Sequence, residues 1–90
     1  MLTSSERKAL KAKAHKLEPV VQIGAKGVTE EVIAEIDRAL RAHELIKVRA
    51  ASLDRDARGG AFDTICERTG AEAVQQVGKV FVLYRKNNDE

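Results

Sequence analysis

The chain has 90 residues, a net charge of +2, 43% hydrophobic residues and a single cysteine. That length closes one hydrophobic core, which excludes a catalytic domain joined to a separate regulator, and a lone Cys66 without a second thiol or nearby histidine excludes an internal disulfide and zinc-ligand spacing. No apolar run approaches the ~18 residues that span a bilayer and the start, MLTSSERKALKAK, is polar and basic, so a cytoplasmic protein without a membrane segment is expected.

Thr3 or Ser4 followed by Glu6 is a helix-start signature, and the helical pattern continues to about Lys16 with Leu10, Ala14 and Leu17 as a narrow apolar stripe. Pro19 ends that helix, and the VVQI run at 20–23 reads as a short strand closed by Gly24. Thr29 is a natural cap for a second helix, with Glu30 and Glu31 in its first turn. Val28 is placed to staple onto Ile33, and Val32, Ile33, Ile36, Ala39 and Leu40 form the buried face. LIKVRA then alternates, so Ile46, Val48 and Ala50 face the core while Lys47 and Arg49 form a basic outer face.

Residues 53–70 hold helical spacing through Ala61, Phe62, Ile65, Cys66 and Thr69, but Gly59 and Gly60 each cost about 1 kcal/mol inside a helix, so a loose first turn is expected. Gly70 stops that helix, and two strands around 73–77 and 80–85 flank a tight Gly78-Lys79 hairpin. The order is α-β-α-β-α-β-β, an α/β (α+β) single domain over residues 1–86 with a mixed four-stranded sheet and a polar tail at 87–90. Parallel pairing is expected for strands joined through helices, antiparallel pairing for the last hairpin. His15 and His43 fall near helix C-termini, and neither has a partner for catalysis. No enzyme, metal or cofactor is expected.

Charge is unevenly spread. Residues 1–27 carry six cations against two acids, whereas residues 28–42 carry four acids against two arginines. At the end of the basic third begins GAKGVTE, with Gly24 and Gly27 on either side of Ala25 and Lys26. A Gly-x-x-Gly between a strand and a helix lets backbone approach a phosphate without side-chain obstruction, while the following helix offers free N–H groups and Lys26 a mobile cation. The spacing alone is weak, and a plain strand-to-helix turn accounts for it equally well. The basic helix before the loop and the basic strand after it favour a phosphate-binding surface made by Gly24, Ala25, Lys26, Gly27, Lys11, Lys13, Lys47 and Arg49. Neither GxxxxGK[ST] nor GxGxxG is present, which excludes the usual nucleotide loops.

The string LKAKAHKLEPVVQIGAKGVTEEVIAEIDRALRAHELIKVR and the ending GKVFVLYR closely resemble the CRM domain, the chloroplast RNA splicing and ribosome maturation domain, in its single-domain bacterial form, the YhbY-like proteins. The similarity runs from about Leu10 to Arg85, with Leu17-Glu18-Pro19, the GxxG loop, HELIKV and GKxxxLYR in order. The resemblance implies a fold similar to the C-terminal domain of bacterial translation initiation factor three, a KH-like GxxG loop at Gly24–Gly27, and basic strand residues at Lys47 and Arg49. It also implies ribosomal RNA and large-subunit precursors as partners, with a role in ribosome assembly. The chain is expected to act as a monomer, without small-molecule substrate. Gly59 and Gly60 depart from the family, which has helix formers there. With only Tyr84 open among the aromatics, base stacking is expected to be limited, and shape and phosphate geometry to dominate recognition. The alternative is a protein adaptor that docks on a ribosomal protein or assembly factor through the acidic face of the second helix.

Overall fold

The computed structural model describes residues 2–87. Helix α1 spans Ser4–Ala14, helix α2 Glu30–His43 and helix α3 Arg55–Thr69. Strands β1 (Val21–Gln22), β2 (Leu45–Arg49), β3 (Glu72–Val77) and β4 (Val80–Tyr84) complete the expected order, a small α+β domain with a mixed four-stranded sheet.

Each helix begins where a side-chain oxygen replaces a missing acceptor. Thr3 Oγ1 accepts the Glu6 N–H at 3.0 Å while Glu6 Oε1 accepts the Thr3 N–H at 2.8 Å, a reciprocal capping box. That second bond holds the Glu6 carboxyl below the usual range. Thr29 Oγ1 accepts from Val32 at 3.2 Å and Asp54 Oδ1 from Ala57 at 2.9 Å. α1 closes at Ala14, two residues before the end of its sequence pattern, because Lys16 and Leu17 turn back onto the carbonyls of Lys13 and Ala14 ahead of Pro19. α2 ends at Glu44, whose φ of 65° reverses the chain into β2.

The sheet order is β1-β2-β4-β3. β1 runs parallel to β2, with Val21 opposite Val48 and Gln22 opposite Arg49. Bonds from Val20 N–H to Lys47 O and from Ile23 N–H to Arg49 O carry the pairing across the expected 20–23. β2 and β3 point the same way but do not touch: β4 inserts between them, antiparallel to both. Its Phe81, Val82 and Leu83 are all buried, as a central strand requires.

Two hydrophobic clusters lie on opposite faces of the sheet. α2 and α3 bury Ile33, Ile36, Leu40, Phe62 and Ile65 against Ile23, Ile46, Val48, Phe81 and Leu83. The Phe62 and Phe81 rings stack at 4.5 Å and 6°. Helix α1 covers part of the other face through Ala14, Val74 and Val82, so the face that carries Lys47 is half roofed and Lys47 itself is half-buried. Arg85 fastens the far end: its Nη1 donates to Asp37 Oδ1 and to Thr69 O, each at 2.7 Å, which joins β4 to α2 and α3. That bond, followed by the nearby arginine charges, holds the Asp37 carboxyl below the usual range despite its partial burial. Asn87, the first residue of the expected tail, donates its N–H to Glu44 Oε2 and its Nδ2 to Arg41 O. The rest of that tail, 88–90, lies outside the described residues.

Gly59 and Gly60 do not loosen α3, which is continuous from Arg55 once Asp54 caps it. Both are exposed, and a Cβ on either would meet nothing within 4 Å. Alanine at each position should therefore raise stability by about 0.5–1 kcal/mol, measured by urea denaturation. A loss of stability in both variants would contradict a continuous helix here.

Candidate nucleic-acid interface

Gly24–Gly27 is a tight turn at the C-terminal end of β1, closed by the Gly27 N–H on Gly24 O at 3.0 Å. Ala25 and Lys26 form its exposed tip. Gly27 has φ +79°, a conformation that an L side chain rarely adopts, so the turn itself favours glycine there. Gly24 is different: its φ is not positive, and a Cβ there would meet nothing within 4 Å. The turn geometry explains the second glycine and leaves the first unexplained by packing. Val28 separates Gly27 from the Thr29 cap, so the turn is one residue further from α2 than a direct join would place it.

Ser52, which sequence reasoning did not single out, anchors the turn. Its Oγ lies 2.6 Å from Ile23 O and 2.8 Å from Gly24 O and donates its proton to this pair of carbonyls. Leu53 supports the other side, with Cδ2 3.9 Å from where a Gly27 Cβ would stand. With these carbonyls held, the N–H groups of Ala25, Lys26 and Val28 meet no acceptor among the described residues.

The end of α2 contributes less positive character than its dipole suggests. Thr29 already caps it, and Glu30 and Glu31 occupy the first turn. Glu30 is offset by Arg68, whose Nη2 lies 2.7 Å from Glu30 Oε1; that hydrogen bond and charge hold the Glu30 carboxyl low. Glu31 remains exposed, with Glu35 beside it on the outer face of α2.

The strand cations continue from the turn. Arg49 is exposed and lies opposite Gln22, two residues before Gly24, and Lys47 follows on the same face of β2. Lys47 and Lys11 line one groove of about 190 Å³ between the end of α1 and the sheet, together with His15, Gln75, Val77 and Val80. Lys13 does not join them. A step of two residues turns it around α1 into a larger groove of about 610 Å³, beside Lys16, Leu17, Val20, His43 and Tyr84. Tyr84 is half-buried there, packed under α1. The structure thus sets Arg49 beside the strand that leads into the turn, brings Lys47 and Lys11 together in one groove, and separates Lys13.

Ion pairing divides the cations further. Arg41, Arg68 and Arg85 each meet a carboxylate of α2. Lys11, Lys26, Lys47 and Arg49 meet none among the described residues. Burial, then the charges of Asp63 and Glu72, push the Cys66 thiol up to about 11, which keeps it protonated near neutral pH and a poor nucleophile. No helix among the described residues is long and apolar enough to cross a membrane.

Fold and turn together define a small α+β domain that presents an open glycine turn flanked by unpaired cations. The chain belongs to the CRS1 / YhbY (CRM) domain family, whose model matches residues 2–85. It is 43% identical over 86 residues to a probable RNA-binding protein of Pseudomonas aeruginosa, covering 96% of this chain and 83% of that protein. An RNA-binding protein of Haemophilus influenzae is 43% identical over 88 residues, covering 98% and 89% respectively. The solution structure of a hypothetical protein from Staphylococcus aureus superposes with a TM-score of 0.86 at 36% sequence identity, over 99% of this chain and 93% of that one.

Proposed function

We propose that this protein binds RNA through its sugar-phosphate backbone, using the Gly24–Gly27 turn and the cations that lead from it across the α1 face of the sheet. The observation that carries this reading is Gly24, a glycine that neither backbone conformation nor packing demands, set at an exposed turn with unpaired N–H groups and Lys26. Close approach of an external backbone gives that position a reason. Family membership and the names of the two relatives support RNA as the partner.

The RNA we propose is ribosomal, bound on precursors of the large subunit during assembly, by a monomer that needs no cofactor and catalyses no reaction. This finer assignment follows the family resemblance. The half-buried Tyr84 favours recognition of phosphate geometry over base stacking. The test is association with purified, protein-free large-subunit ribosomal RNA across a salt series. Backbone binding predicts a linear fall of log affinity with log salt, by about 0.7–0.9 per phosphate contacted. Absence of binding to bare RNA, with capture of a basic assembly protein by the Glu31 and Glu35 face, would favour the adaptor reading instead.

A further inference from the structure

Three turns meet at one end of the molecule, and only one of them is the glycine turn. The segment 50–54 lies between the other two. On one side Ser52 and Leu53 hold the Gly24–Gly27 turn, as described above. On the other side the Ala50 N–H donates to Lys79 O at 2.6 Å, and Arg58 bridges Leu53 O (3.2 Å, through Nε) and Gly78 O (3.4 Å, through Nη1). The row is fixed by strand order: β4 begins two strand spacings from β1, about 10 Å away, a span of roughly three stacked nucleotides at about 3.4 Å each.

The far side of this row is basic too. Lys79 and Arg55 are exposed, and neither they nor Arg58 meet a carboxylate among the described residues. The acids at this end are Asp54 and Asp56. Asp54 caps α3 by accepting from Ala57 N–H, and Asp56 shares a side of the helix with Gly59, Gly60 and Asp63, at spacings of three, four and seven residues. Asp56 and Asp63 thus lie on the Gly59–Gly60 side of α3, whereas Arg55 lies three residues before Arg58, on the side whose Arg58 reaches Gly78 O beside Lys79.

We propose that Arg55 and Lys79 form a second phosphate-contacting site, so that one RNA strand crosses the glycine turn and continues over 50–54 to the β3–β4 hairpin. The inference rests on the RNA-binding reading above and extends its footprint beyond the residues that the sequence suggested. Arg58 serves this site by position: its guanidinium fixes the hairpin against α3 and leaves Lys79 held at the same end as Lys26.

The experiment uses the full chain and protein-free large-subunit ribosomal RNA, with Lys79→Ala, Arg55→Ala and the double variant beside Lys26→Ala and Arg38→Ala. Neither Lys79 nor Arg55 makes a side-chain hydrogen bond among the described residues, so the variants should keep the parent's unfolding midpoint. Each single change should flatten the slope of log affinity against log salt by about 0.7–0.9, and the double change by about twice that. Lys79→Arg should restore the parental slope, and Arg38→Ala, on the α2 face, should leave it unchanged. If the double variant keeps the parental slope while Lys26→Ala flattens it, the footprint stops at the glycine turn: this inference falls and the RNA-binding reading stands. If the parent itself shows no salt-dependent binding, both fall together.

Discussion

Aspartate in place of Gly27 should weaken RNA binding by about tenfold or more at low salt, equivalent to about 1.4 kcal/mol. Two effects combine. The residue sits at φ +79°, so any side chain carries backbone strain, on the order of 1–2 kcal/mol. A carboxylate is also placed on the turn whose unpaired N–H groups and Lys26 are proposed to face phosphate. Gly27→Asn separates the two, because asparagine tolerates the left-handed region and has nearly the same shape without the charge. A Cβ at this position meets only Leu53 Cδ2, at 3.9 Å, an ordinary van der Waals contact. Filter binding or fluorescence anisotropy should give Asn an affinity near the parent's and Asp a large deficit that salt partly masks. Equal affinity for all three proteins would reduce the turn to a connection.

Phe81→Ala should be the most damaging single truncation, with a loss of about 3–5 kcal/mol read as a lower urea midpoint. Phe81 is fully buried on the central strand and stacks on Phe62, so its ring joins β4 to α3 as well as filling the core. Domains of this size have about 5–15 kcal/mol in total, so this variant should be substantially unfolded at modest urea. A change below ~1 kcal/mol would contradict the packing between sheet and α3.

Features set by neighbours in sequence were legible before the fold was known. Thr3 with Glu6, Thr29 at the start of α2, Gly70 as a stop and Gly78-Lys79 as a hairpin each depend on a few adjacent residues, and each stands where expected. The alternation of Ile46, Val48 and Ala50 gave the buried face of β2 for the same reason. Asp54 carried a cap signal of the same local kind, and α3 is continuous from it despite the propensity cost of Gly59 and Gly60.

Relations across the chain were less visible. The insertion of β4 between β2 and β3 depends on long-range pairing, although three consecutive apolar residues, Phe81, Val82 and Leu83, are the composition of a strand covered on both faces. The roofing of Lys47 by α1 was hidden because α1 buries little beyond Ala14, so its apolar stripe did not announce which surface it covers. Lys11 and Lys13 look equivalent in sequence and face different grooves, a consequence of helical pitch combined with where α1 docks. Ser52, Arg55 and Lys79 come from segments remote from the glycine turn. Folding brings Ser52 onto the turn, and strand order sets the Lys79 hairpin two strands away from it.

The most direct test of RNA backbone binding at the glycine turn is a ¹H–¹⁵N spectrum of the full chain titrated with a protein-free fragment of large-subunit ribosomal RNA. The account predicts that the largest shifts fall on Gly24, Ala25, Lys26, Gly27 and Arg49, with the outer α2 residues Glu31 and Glu35 unmoved. Shifts confined to α2, with residues 24–27 unchanged at saturating RNA, would contradict it.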